Sequence, residues 1–318
     1  MKHLDLGLGL RFEPPCAGDR HGHYHSRQAP RQFAPGEAAE SERASVPREE
    51  PGAEDQAQRL AQELDNQEER ARAELALGDL AWREGHLDEA LAHMQKAFDL
   101  ARGRRDERLL GEIKIRWGAV LADAGKHDES LGHYREAIDL LRPINDFIDI
   151  SRAYNNIGVV LRFQGKQDEA LESYRHAMDA ADKVGYTRGR GYALANSIEC
   201  LADKGEAAKA GEFLAEARKI FEKMNDRYML SGLKLMDALI ADLEGRREDA
   251  EAAIKESVEA LREFNSPADL AWAIYREAVL LKKWGRPEAG ERFEEAERIY
   301  VELGNEDRAG MVRKAASE

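Results

Sequence analysis

Apolar residues recur along most of the chain at the spacing of one face of a helix. In the stretch 151–181, Tyr154, Ile157, Gly158 and Leu161 lie at positions i, i+3, i+4 and i+7. Residues with this spacing line up on one side of an α-helix. The pattern therefore predicts a helix that buries this side.

A second helix is predicted directly after the first. Ala170, Leu171, Tyr174 and Ala177 mark its inward face, and Gly165 separates the two apolar patterns. Glycine readily adopts the left-handed backbone that a tight turn after a helix needs. The stretch is therefore predicted to form a helical hairpin.

The hairpin pattern repeats with a fixed period. Glycines stand 40 residues apart, at Gly85, Gly125, Gly165, Gly205, Gly245 and Gly285. The junctions between hairpins fall in a second register, at Arg105, Asn145, Gly185, Asn225, Asn265 and Asn305. The positions after these junctions hold predicted helix caps, Asp106, Asp146, Asp226 and Ser266. A fixed period of this length indicates a repeat protein whose hairpins stack on their neighbours.

The period divides the chain into about six hairpins. They lie near residues 66–105, 106–145, 146–185, 186–225, 226–265 and 266–304. We expect a partial hairpin at 53–64 and a capping helix at 306–316, whose polar outer faces would close the two ends of the stack. The predicted fold class is all-α.

Residues 1–52 have a different composition. They contain six of the nine prolines and no sustained apolar periodicity. Such a segment buries too little apolar surface to offset the entropy cost of ordering it. We therefore expect a disordered N-terminal tail, followed by one helical repeat domain over 53–318.

Charge and cysteine content narrow the classes of partner. The net charge of −14 argues against a general affinity for nucleic acid. No apolar run approaches the ~20 residues that a membrane-spanning helix needs, so no membrane partner is expected. Cys16 and Cys200 lie in the tail and in a predicted helix, which favours unpaired thiols and a cytoplasmic protein.

The hairpin motif resembles the tetratricopeptide repeat, in its longer 40-residue variants, over roughly residues 53–318. The marks of the resemblance are Tyr154, Ile157, Gly158, Leu161, Gly165, Ala170, Tyr174 and Ala177. It implies a right-handed α-α superhelix in which the first helix of each hairpin lines an inner, concave surface. HEAT-like repeats are the structural alternative, but they lack the Gly–x4–Ala–x3–aromatic–x2–Ala rhythm.

On the implied inner surface, polar side chains gather in the central repeats. They are Arg116, Arg152, Asn155, Asn156, Arg162 and Asn196. An asparagine amide can both donate to and accept from a peptide backbone, and arginine pairs with carboxylates. We therefore hypothesise a groove for an extended, acidic peptide. The alternative is that these side chains bond to neighbouring helices and to local carboxylates.

Aromatic residues complete the predicted peptide-binding set. Tyr192, Trp272 and Tyr275 lie in the same inner columns, and aromatic anchors are typical of binding hot spots. We expect Trp272 and Tyr275 to be the more exposed of the inner apolar residues. The neighbouring Leu235 and Leu239 are expected to belong to the core.

No catalytic signature is recognisable in the sequence. It has no phosphate-binding loop, dinucleotide fingerprint or metal-protease motif. The sequence therefore predicts a non-enzymatic scaffold or adaptor that binds a protein or peptide and needs no cofactor or metal. The alternative is a peptide-responsive sensor that modulates a signalling or transcription partner.

Overall fold

A computed structural model describes residues 67–103, 105–264 and 266–318. The predicted tail at 1–52, the predicted partial hairpin at 53–64 and the junction residue Asn265 lie outside these ranges.

Within these ranges the chain forms thirteen α-helices, arranged as six hairpins and a closing helix. The first helices of the hairpins are α1 (Gln67–Arg83), α3 (Glu107–Asp123), α5 (Phe147–Phe163), α7 (Thr187–Asp203), α9 (Arg227–Leu243) and α11 (Pro267–Lys283). The second helices are α2 (Leu87–Arg102), α4 (His127–Leu141), α6 (Gln167–Lys183), α8 (Ala207–Lys223), α10 (Arg247–Glu263) and α12 (Ala289–Glu302). The closing helix is α13 (Glu306–Ser317). The predicted all-α array of stacked hairpins is confirmed.

Residues with a left-handed backbone separate the helices at nearly constant intervals. The glycines of the 40-residue series have φ between 69° and 83°. At the junctions between hairpins, Arg105, Asn145 and Asn225 have φ of 55°, 56° and 52°. At the last junction Gly304, not Asn305, takes this backbone, with φ of 69°. The left-handed residues on either side of the last second helix, Gly285 and Gly304, are therefore 19 residues apart, whereas Gly205 and Asn225 are 20 apart.

Three of the four predicted caps act as expected. The side chains of Asp106, Asp146 and Asp226 each accept a hydrogen bond from the backbone N–H three residues later. The fourth prediction is wrong for its side chain, because Oγ of Ser266 donates to Oδ2 of Asp269 over 2.5 Å instead. The helix after Ser266 begins with a proline, which has no N–H to satisfy.

Close packing within a hairpin depends on glycine facing a large ring. Tyr134 and Tyr174 are fully buried. A Cβ at Gly118 would lie 2.8 Å from the Tyr134 ring, and one at Gly158 would lie 2.4 Å from the Tyr174 ring. Both distances are shorter than van der Waals contact, so these glycines let the two helices approach closely.

The array curves until its last repeat touches its first ones. The ring centroids of Phe163 on α5 and Trp272 on α11 are 5.6 Å apart. A Cβ added at Gly85 would lie 3.3 Å from the carbonyl oxygen of Leu303. Repeat proteins generally make contacts only between neighbouring repeats, so this long-range contact is an additional feature of the fold.

None of the helices in the described ranges combines the length and the apolar character that crossing a bilayer requires.

Gly158→Ala is expected to lower the free energy of unfolding by about 1–3 kcal/mol, because the added methyl group overpacks the buried Tyr174 ring. Gly211→Ala is the matched control, since a Cβ at this helical glycine meets nothing within 4 Å. It should raise stability by about 0.5–1 kcal/mol through helix propensity. Urea denaturation measures both values, and two equal shifts would contradict the packing argument.

Candidate binding site on the inner surface

The first helices of the hairpins line the inside of the array. From α1 to α9, each first helix packs against the next one along the array. Residues on nearly every side of α3, α5 and α7 are buried, whereas α4 and α6 bury a narrower set of positions. The side chains of the first helices therefore decide the chemistry of the inner surface.

Three asparagines lie at its centre. Asn155 and Asn156 on α5 and Asn196 on α7 are all buried. Nδ2 of Asn196 donates a hydrogen bond to Oδ1 of Asn155 over 2.9 Å. Oδ1 of Asn156 is also buried but accepts no hydrogen bond. The amides thus connect two repeats and leave one buried acceptor unpaired.

A buried ion pair lies beyond the asparagines. Nη1 of Arg162 donates to Oε2 of Glu199 over 2.5 Å, and Nε1 of Trp272 donates to the other carboxylate oxygen over 3.2 Å. The guanidinium carbon of Arg162 lies 4.8 Å from the ring centroid of Phe163 and 5.0 Å from that of Trp272. The cluster therefore joins helices α5, α7 and α11.

Burial shifts the protonation equilibria of this pair. It raises the pKa of Glu199 above the ordinary value, although the neighbouring Arg162 acts in the opposite direction. Burial also disfavours the charge on Arg162, but the Glu199 carboxylate raises the pKa of the guanidinium overall. Removing either partner would leave the other as an uncompensated buried group.

The other inner arginines also pair with carboxylates. Arg116 donates to Oδ2 of Asp79 over 2.7 Å and to Oε1 of Glu112 over 3.0 Å. Arg152 donates to Oδ1 of Asp149 over 2.7 Å. The patch that looked locally basic in the sequence is therefore balanced by acidic side chains of α1, α3 and α5.

The predicted exposure of Trp272 is wrong. Only 3% of this residue is exposed, because curvature brings α11 onto α5 and places its ring between Phe163 and Tyr275. Tyr275 is half-buried. Leu235 and Leu239 are buried, as expected for core residues.

Tyr192 is half-buried and contacts its own hairpin. Its ring centroid lies 5.9 Å from that of Phe221 on α8. Of the predicted set, the structure joins Asn155 with Asn196, Arg162 with Trp272, and Trp272 with Tyr275. Arg116 and Arg152 pair with carboxylates.

Several buried guanidinium N–H groups have no hydrogen-bond acceptor. They include Nε of Arg116, Arg162 and Arg276, and Nη2 of Arg308. Sequence reasoning did not select Arg276 or Arg308. Arg276 stood in an inner column of the repeat pattern and could have been chosen. The burial of Arg308 in α13 could not be predicted from the 40-residue period, because the period does not show that the closing helix turns toward the inner surface.

The inner surface offers neither a reactive thiol nor a cluster of metal ligands in the described part of the chain. Cys200 is buried and unpaired, and burial raises the pKa of its thiol to about 12. Within residues 67–103, 105–264 and 266–318, no group of three His, Cys, Asp or Glu side chains is arranged to hold a metal ion.

Sequence comparison identifies the repeat. Two profiles described as tetratricopeptide repeat match residues 71–104 and 109–183. No curated protein matches the chain.

Several solved structures have a similar fold. Aspartyl phosphate phosphatase F from Bacillus subtilis has a TM-score of 0.69 at 15% identity, over 76% of this chain and 62% of that one. The apo form of RapI has a TM-score of 0.68 at 14% identity, over 79% and 90% of the two chains. A Rap protein complexed with competence and sporulation factor has a TM-score of 0.65 at 16% identity, over 82% and 68%. The chain thus spans less than two thirds of the length of phosphatase F. Sequence identities of 14–16% show similarity of fold alone.

Arg162→Met is expected to lower the free energy of unfolding by about 3–5 kcal/mol, because it leaves Glu199 buried without its partner. Adding Glu199→Gln should recover about half of this loss or more, since the glutamine is neutral and still accepts the Trp272 N–H. Arg175→Met, in an exposed ion pair with Glu172, is the control and should leave stability nearly unchanged. Urea denaturation of the native chain, of Arg162→Met, of Glu199→Gln and of the double variant gives the coupling free energy of the pair. Simple additivity of the two inner substitutions would contradict the buried pair.

Proposed function

We propose that this tetratricopeptide repeat protein is a non-enzymatic scaffold that binds an extended, acidic peptide or protein segment on its inner surface, in the cytoplasm. The segment would lie along the central first helices, α3, α5 and α7. The residues proposed to contact it are Arg116, Arg152, Asn155, Asn156, Arg162, Tyr192, Asn196, Trp272 and Tyr275.

The excess of unpaired donors on the inner surface is the observation that carries this proposal. Arg116, Arg162 and Arg276 each have a buried Nε–H without an acceptor. A buried polar group left unpaired costs about 1–3 kcal/mol. A bound segment that supplies oxygen atoms would recover part of this free energy. Carboxylates are the strongest acceptors for guanidinium groups, which is why we propose an acidic segment.

The asparagines supply the complementary half of the interaction. Oδ1 of Asn156 has no donor, so it can accept a backbone N–H of a segment that reaches it. Asn155 and Asn196 bond to each other, and each amide can exchange that partner for a peptide group because it carries both donors and an acceptor. An extended main chain offers both kinds of group at every residue.

The similar structures support a peptide as the partner. One Rap protein of similar fold is complexed with competence and sporulation factor, and another is in complex with the Phr* peptide. The likeness supports a surface of the right shape for this class of ligand, and it does not identify the ligand of this chain.

The alternative function is that of a peptide-responsive regulator. It is favoured by the contact of the end of the last repeat with the first one, where a Cβ added at Gly85 would lie 3.3 Å from the carbonyl oxygen of Leu303. A segment bound on the inner surface would alter this contact and with it the curvature of the array. The phosphatase activity in the name of one similar structure belongs to that protein, and we propose no catalysis for this chain.

An array of nine-residue peptides tests the binding proposal. Each peptide that contains Asp or Glu is paired with a twin that contains Asn or Gln, and the purified full-length chain is the probe. We expect saturable binding of acidic members by fluorescence polarisation, and about tenfold weaker binding of their neutral twins. If no peptide binds saturably, or if the twins bind equally, the proposal of an acidic segment is wrong.

Substitution of Asn156 locates the site. Asn156→Ala should weaken binding of a selected peptide about fivefold, because one hydrogen bond to its backbone is lost. The free energy of unfolding of this variant should change little, since Oδ1 of Asn156 has no hydrogen-bond partner to lose. Gln95→Ala on the exposed side of α2 is the control. Equal affinities of the two variants would place the peptide elsewhere.

A further inference from the structure

The last turn of the array rests against the turns of the first two repeats. A Cβ added at Gly85 would lie 3.3 Å from the carbonyl oxygen of Leu303, and one at Gly125 would lie 3.5 Å from the side chain of Asp307. Nε2 of His127 is 3.4 Å from Oδ2 of Asp307. We call this contact between residues 303–308 and the first repeats the seam.

At the seam the closing helix fills part of the inner surface. Arg308 is only 5% exposed, and its guanidinium carbon lies 4.5 Å from the ring centroid of Phe163 on α5. A cavity of about 10 Å³ remains between Arg308, His127, Phe163 and Val160, which is about the space of one water molecule. Residues 305–308 therefore occupy the inner surface where α3 and α5 end.

Arg308 itself holds this position without an ionic partner in the described ranges. No carboxylate of residues 67–103, 105–264 or 266–318 lies within ion-pair distance of its guanidinium. Its side chain donates one long hydrogen bond, of 3.5 Å, to the Tyr300 hydroxyl, and Nη2 has no acceptor. A buried guanidinium with so few partners adds little to the stability of the seam.

Like charges face each other across the rest of the seam. An open cleft of about 680 Å³ separates the two sides. Its carboxylates are Asp88, Glu89 and Asp123 from the first repeats, and Glu306 and Asp307 from the closing helix. The basic or titratable side chains that line it are His86 and Lys126, with His127 beside Asp307. Arg313 lies 3.1 Å from Glu306, and His86 lies 3.7 Å from Glu89. The carboxylates still outnumber the basic side chains, and this excess opposes the apolar contacts that hold the seam closed.

We infer that the superhelix opens and closes at this seam, and that residues 303–308 are an internal occupant of the inner surface. Closure covers the inner ends of α3 and α5, and opening uncovers them. The opening is a property of the chain alone. Its consequence, that a bound segment displaces residues 303–308, rests on the proposed function.

Two substitutions of opposite charge at His127 test whether the seam opens and closes. His127 is the first residue of α4, where a negative side chain suits the helix dipole, so His127→Glu does not weaken the helix. It places a second carboxylate beside Asp307 and should open the seam, whereas His127→Lys should close it. Gln167→Glu is the matched control, because Gln167 begins α6 at the same repeat position, 40 residues later and away from the seam.

Distances between spin labels report the state of the seam. The labels are attached to Lys96→Cys on α2 and Lys314→Cys on α13, both exposed, in a full-length chain with Cys16→Ser. Cys200 is buried and should remain unlabelled. We expect the ratio of long to short distances to rise about fivefold in His127→Glu and to fall by a similar factor in His127→Lys, with no change in Gln167→Glu.

Hydrogen exchange gives an independent measurement on unlabelled protein. Amides of α13 should exchange faster in His127→Glu than in His127→Lys, while those of α6 stay unchanged. Identical distance distributions and identical α13 exchange in the two His127 variants would overturn the inference. Neither measurement uses a peptide, so this failure can be told apart from a failure of the proposed function.

Discussion

The constraint on which the rest of the structure depends is the left-handed residue that follows eleven of the thirteen described helices at a nearly fixed interval. Glycines of one series and Arg105, Asn145, Gly185 and Asn225 of the other adopt positive φ. Because these residues set the helix lengths, every first helix from α1 to α11 spans 17 residues. Equal helices keep equivalent side chains in register from repeat to repeat. Because of that register, equivalent side chains of successive repeats form columns on the inner surface.

The features that depend on neighbouring residues could be predicted from the sequence. The turns, three of the four caps, and the glycines that face tyrosine rings all follow from local spacing and from the size of side chains. The burial of Trp272 could not be predicted in this way. It depends on the small rotation between successive repeats, which accumulates until residues 73 apart, Trp272 and Glu199, share a hydrogen bond. A period in the sequence fixes which residues are equivalent, but it does not give the size of that rotation.

The same curvature explains why the predicted groove is already filled by protein. Arginines and carboxylates that lie in separate columns of the sequence meet on the inside and neutralise one another, as Arg162 and Glu199 do at 2.5 Å. Buried ion pairs of this kind contribute little net stability relative to apolar packing, but breaking one is costly. The pairs therefore favour a specific arrangement of the repeats. The Nε–H groups and Oδ1 of Asn156 remain buried and unpaired, and in the proposed function a bound segment supplies their partners.

In the proposed function, binding of the segment and closure of the seam compete for the same surface. An array held only by contacts between neighbours would change shape gradually, since each interface adds a separate term. A contact between the last and the first repeats couples those interfaces, because the seam forms only when the summed rotation of all repeats is correct. A ligand that binds one of the two forms, open or closed, more tightly would therefore shift the equilibrium of the whole array toward that form. In the inferred opening, the acidic residues on both sides of the seam reduce the free-energy difference between these forms, and hydrogen bonds to the proposed segment would shift it.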